Sequence, residues 1–189
     1  MDKLINSLKE TYGYTNYDLA LVKYALVSIA SELSKIIILF LFYFIINKAY
    51  AFITFMLLLS FLRFNSGGFH CKHYLTCFIL TFVISFLAII VLPSIYKPNY
   101  LIIEFSTIIC LFINYYIGPI ASPFRPSPGS LLLKHCKNNS FIVIFVFFII
   151  VSISNSHKAI NPLLLVGFWT IILHTVQMIF AKILLIKGG

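Results

Sequence analysis

Charge is scarce in this sequence: 10% of its 189 residues are charged, and only five are acidic. Soluble domains carry about a quarter charged residues. With 61% hydrophobic residues and a mean hydropathy of +1.02, this composition excludes an ordinary soluble domain and indicates an integral membrane protein. Basic runs with interleaved polar residues are also missing, which excludes nucleic acid as a partner. The formal charge of +9 therefore has to be read as topology. The four cysteines, Cys71, Cys77, Cys110 and Cys136, lack the spacing of a disulfide scaffold and are expected to be thiols. The opening MDKLINSLKETYGYTNYD has neither an apolar h-region nor a small-residue cleavage site, so no cleaved leader is expected there.

What the chain does have is long apolar segments. A bilayer core roughly 30 Å thick takes about 20 helical residues to cross. On that measure the expected fold is all-α and polytopic, a single domain over residues 1–189 with six transmembrane helices. The spans are expected near Tyr24–Asn47, Ala49–Phe64, Tyr74–Leu92 (ending at Pro93), Tyr100–Ile117, Phe141–Ser154 and Pro162–Ile186. Six spans put Lys3, Lys9, Lys23, Arg63, Lys72, Arg125, Lys134, Lys137, Lys182 and Lys187 on one side, against Lys48, Lys97 and Lys158 on the other. The excess of Lys and Arg marks the cytoplasmic side, so both termini are expected there, in the cell membrane. Leu4, Ile5, Leu8 and Tyr12 recur at helical spacing, which predicts an interfacial amphipathic helix over residues 1–14. Thr15-x-x-Asp18 reads as the cap of the helix that follows.

The densest chemistry lies in FLRFNSGGFHCKHYLTC, Phe61 to Cys77, between the second and third spans. Ser66-Gly67-Gly68 ends the preceding helix and frees backbone N–H groups, which near a helix start can bind a developing oxyanion. Cysteine supplies a nucleophile, and a helix start with Arg63, Lys72 and histidine close by favours the thiolate. Histidine supplies a base or an ion-pair partner. Spacing alone favours His73 as the partner. His73 and Cys77 are four apart and would touch on a regular helix. His70 and Cys77 are seven apart, with roughly 10 Å of helical rise between them. His70 reaches Cys77 only if the segment 66–73 folds back. Two other readings compete: a metal site of His70, Cys71, His73 and Cys77, whose spacing lacks the pairing of zinc modules, and an ordinary interfacial loop.

The string R-F-N-S-G-G-F-H, with a cysteine seven residues after the histidine, resembles the signature of the accessory gene regulator B (AgrB) family. The similarity extends to chain length, six spans, the N-terminal amphipathic segment and a Pro/Arg-rich connector (GPIASPFRPSPG, Gly118–Gly129). The family consists of membrane cysteine endopeptidases of Gram-positive quorum sensing. The resemblance implies His70 and Cys77 as the catalytic pair, and makes Arg63 and Gly68 motif residues, with Ser66 and Gly67 as supporting or oxyanion candidates. It implies a propeptide substrate with an amphipathic N-terminal segment and an acidic C-terminal tail. The tail would be cut off through a thioester on the enzyme, and a substrate thiol would then close a thiolactone. Arg125, Lys134 and Lys137 are the substrate-binding candidates. No cofactor or metal is implied, and a homodimer in the bilayer is expected.

A few polar residues fall inside the spans. Glu32 and Lys35, three apart, are expected to pair. Glu104 is expected to snorkel to the outer boundary. Asn114, His174 and Gln177 lie at depth and are expected to make interhelical hydrogen bonds. A transporter would use these residues instead, but the spans hold few charges and no visible inverted repeat. No Asp or Glu lies near His70 in sequence, so any third catalytic group must come from another span.

Overall fold

The structure, a computed structural model, describes residues 15–67, 73–120, 130–155 and 160–188. Among these the chain is all-α. Six long helices follow in order: α1 (Asn16–Ile45), α2 (Ala49–Ser66), α3 (Tyr74–Ile95), α4 (Tyr100–Ile117), α5 (Ser130–Ser154) and α6 (Pro162–Gly188). Helices α2 to α6 are each long and apolar enough to cross a membrane. Their outer faces expose Leu57, Phe64, Phe105, Ile153 and Phe180, side chains suited to contact with hydrocarbon. The chain is an all-α polytopic membrane protein. The expected interfacial helix over 1–14 lies outside the described residues.

Two compact units divide the chain, Met1–Phe42 and Tyr43–Gly189. In the first, α1 starts at the capping box read from the sequence. The Asp18 carboxylate accepts from the Thr15 backbone N–H (3.1 Å) and hydroxyl (2.6 Å), while Thr15 Oγ1 accepts from the Asp18 N–H (3.2 Å). Lys35 Nζ and Glu32 Oε1 pair at 2.6 Å, one turn apart, as their spacing predicts.

In the second unit α2 packs on α5 and α6, and α4 packs on the same two helices. The core between them holds Leu62, Ile103, Cys110, Ile144, Phe147, Val151, Phe168 and Ile171. At Gly167 an added Cβ would come within 2.5 Å of the Phe147 ring, so the missing side chain is what lets α5 and α6 approach. Tyr43 stacks on Phe52 (4.9 Å between centroids) and donates to Ser85 Oγ at 2.9 Å.

Three helices differ from their sequence-based bounds by three residues or more. Helix α1 starts at Asn16, eight residues before the expected Tyr24. Helix α5 begins at Ser130, not near Phe141, because Lys134, His135, Lys137, Asn138 and Asn139 lower the local hydropathy without opposing a helix. The resulting 25-residue helix needs no thinning of the bilayer. Helix α3 runs past Pro93 to Ile95. A wide π turn, Leu87–Val91, precedes the proline, which then falls in the first positions of the closing turn, where its missing N–H is not needed.

Candidate active site

Helix α2 ends at Ser66, and Gly67 leaves it with φ 75° and ψ −139°, a conformation essentially reserved for glycine. The Gly67 N–H donates to the Arg63 carbonyl (3.1 Å), closing the last turn. The segment just after α4 holds this departure from outside: the Ile120 N–H donates to the Ser66 carbonyl at 2.9 Å, and Gly67 and Ile120 form an isolated parallel bridge. Ile120 is itself buried with Met178 and Ala181 of α6, so the clamp rests on the core.

Side chains of α6 complete the hold. Ser66 Oγ lies 2.7 Å from His174 Nε2 and donates to the Leu62 carbonyl at 2.6 Å. Arg63 Nη2 donates to Gln177 Oε1 at 3.3 Å. One turn into the core, Asn114 Nδ2 donates to Thr175 Oγ1 (2.7 Å) and to the Cys110 carbonyl (2.8 Å). Asn114, His174 and Gln177 are all buried, and each bonds to another helix, as their depth in the sequence predicts. The partners Ser66, Arg63 and Thr175 were not predictable from spacing, since the pairs lie 108, 114 and 61 residues apart.

Beyond the turn, the chain re-enters helix at Tyr74. His73 caps α3 in an extended conformation (φ −110°, ψ 143°), exposed, and its carbonyl accepts from the Cys77 N–H at 3.1 Å. Cys77 is buried on the first turn of α3. The helix that carries Cys77 therefore does not include His73, whose backbone is extended. The face-sharing argument for His73 and Cys77 requires helical backbone at both residues, and His73 does not have it. His70, Gly68, Cys71 and Lys72 lie outside the described residues, as does Arg125.

Lys134 and Lys137 stand in the first two turns of α5, at the same end of this unit as the Gly67 turn. Asn139 Nδ2 donates to Asn65 Oδ1 at 3.2 Å across the two helices. Lys134 is exposed, whereas Lys137 Nζ sits 4.0 Å above the Tyr115 ring. Among the described residues no three of His, Cys, Asp and Glu converge as a metal site, and Cys77, Cys110 and Cys136 are thiols, not half-cystines.

A polytopic helical membrane protein with a glycine-broken, cysteine-bearing helix junction, clamped from a third helix, is the class these features define. The chain belongs to the accessory gene regulator B family, whose model, described as Accessory gene regulator B, matches residues 1–180. It is 30% identical over 166 residues to an AgrB-like protein of Clostridium beijerinckii, covering 86% of this chain and 82% of the relative. No solved structure matches it. Membership associates the chain with the processing of quorum-sensing peptides by the accessory gene regulator system.

Proposed function

We propose that the chain is a membrane-embedded cysteine endopeptidase that removes the C-terminal tail of an autoinducing propeptide. The observation that carries this is Cys77, buried on the opening turn of α3 just after the extended His73, in a chain of this family. Cys77 stands on the first turn of α3, where its N–H closes on the His73 carbonyl and its thiol lies at the positive end of the helix dipole.

In the proposed reaction His70 takes the Cys77 proton. The thiolate attacks the scissile carbonyl, and the backbone N–H of Gly68 steadies the oxyanion, since the Gly67 N–H is already given to the Arg63 carbonyl. The C–N bond breaks, and the amine of the tail leaves with the proton from His70. The substrate's acyl group is now a thioester on Cys77. A thiol within the substrate, its proton passing through His70, attacks the acyl carbon; the new C–S bond forms, the bond to Cys77 Sγ breaks, and Cys77 takes up that proton. Exchange of one thioester for another changes the acyl energy little, so the ring can close without further input. A site at the membrane edge limits the water that would hydrolyse the intermediate.

The junction, both termini and the α4–α5 connector are assigned to the cytoplasm by the bias of Lys and Arg. Lys134, exposed at that end, with Lys137 and Arg125, would attract the acidic tail of the precursor, while its amphipathic segment lies in the interface. A homodimer is the proposed working form. Co-expression with a cognate precursor, followed by mass analysis, tests the reading. Cys77→Ala and His70→Ala should leave the precursor whole; release of the tail by either variant would overturn it.

A further inference from the structure

A hydroxyl has one hydrogen, and that of Ser66 is donated to the Leu62 carbonyl, 2.6 Å away. The 2.7 Å contact between Ser66 Oγ and His174 Nε2 then needs its hydrogen on the nitrogen. His174 is thereby the Nε2–H tautomer, and Nδ1, buried and without a partner among the described residues, keeps its lone pair. This imidazole cannot serve as a base toward Ser66, because Nε2 already carries a proton. It is a fixed donor reaching from α6 to the last residue of α2.

Bonds from other segments hold that last turn: His174 on the Ser66 hydroxyl, Gln177 on the Arg63 guanidinium, the Ile120 N–H on the Ser66 carbonyl, and Asn139 on the Asn65 amide oxygen. From there the chain passes Gly67 and returns as α3, whose first turn carries Cys77. We propose that His174 is a positioning residue for the peptidase: its Nε2–H holds the last turn of α2, the point at which the chain leaves for α3 and Cys77. The proposal rests on the peptidase reading above. The premise behind its effect is that a misplacement of roughly 1 Å at a reacting pair can cost about 10²-fold in rate.

Three substitutions separate donor position from bulk. In His174→Gln, the side-chain amide can offer its N–H near where Nε2 stood. His174→Asn offers one near Nδ1, too short to reach Ser66, and His174→Leu offers none. With the full chain in nanodiscs and a cognate precursor, the Leu and Asn variants should cut with kcat lowered about 10²-fold and KM little changed, whereas Gln recovers most of the rate. Hydrogen exchange at the Ile120 amide should speed up in Leu and Asn and stay slow in Gln. Wild-type kcat in the Leu and Asn variants, or a Gln variant as slow as Leu, would overturn the proposal. Should the wild-type chain fail to cut the precursor, the peptidase reading falls. Ile120 exchange still decides the clamp: unchanged exchange in both Leu and Asn rules it out.

Discussion

A Cβ placed on Gly67 would stand 2.1 Å from the carbonyl oxygen of Ile120. The obstacle is backbone, held by the Ile120–Ser66 hydrogen bond, and does not swing aside as the tip of a side chain would. Two penalties therefore coincide at this position, the contact and the positive φ of 75°. Gly67→Ala is expected to lose about 2–4 kcal/mol of stability. Denaturation in detergent, followed through the single tryptophan, Trp169, would measure it. Under the peptidase reading the same variant loses cleavage as well. A Gly67→Ala chain as stable as wild type would mean that Ile120 does not hold the turn.

The sequence disclosed that a helix must end here, because two adjacent glycines after an apolar run leave little else. It did not disclose which glycine bears the constraint, since that depends on Ile120, 53 residues further on by the numbering 67 to 120. The same division holds across the molecule. Thr15–Asp18 and Glu32–Lys35 were legible because their partners lie within one turn. Asn114, His174 and Gln177 were legible as buried bonding groups, but their partners on other helices were not. The start of α5 was missed for a different reason. Hydropathy reports where a segment prefers lipid, and Ser130–Ser140 is helical without that preference. In the candidate site, Cys77 was identified by resemblance and the end of α2 by its glycines; the extended backbone of His73 came from the structure.

Asn114 and Thr175 offer a test of how this bundle values a buried amide. Asn114 Nδ2 spends one hydrogen on Thr175 Oγ1, and Oδ1 has no partner among the described residues. Thr175→Val keeps the shape and strands a buried N–H, so it should cost about 1–2 kcal/mol. Adding Asn114→Leu removes the stranded group. The double variant should then be no less stable than Thr175→Val alone. A double variant with the full sum of both single losses would show that the bond from Asn114 to the Cys110 carbonyl, and not the pairing with Thr175, carries the stabilisation.

The contact between α5 and α6 should respond to a single methyl. Gly167→Ala brings a Cβ within 2.5 Å of Phe147 Cε2, where α6 meets this ring of α5. Overpacking of this kind costs about 1–3 kcal/mol. Phe147→Leu in the same chain removes the ring edge and should return part of the loss, giving a favourable coupling in a double-mutant cycle. Additive losses would place the strain elsewhere.

The start of α1 supplies a local test in the N-terminal unit. Asp18 satisfies the Thr15 N–H and hydroxyl, and Thr15 returns a bond to the Asp18 N–H. Asp18→Ala removes the carboxylate from both bonds, which should cost about 1 kcal/mol at the helix end. Because the box closes within four residues, the loss should appear as faster hydrogen exchange in the first turn of α1 while exchange at Ile103 and Ile171, in the core of the second unit, stays as slow as in wild type. Asp18→Asn can still accept from the Thr15 N–H, so it should fray less than Asp18→Ala. If the two variants fray alike, the charge of Asp18 at the positive end of the helix, and not its hydrogen bonding, is what holds the start of α1.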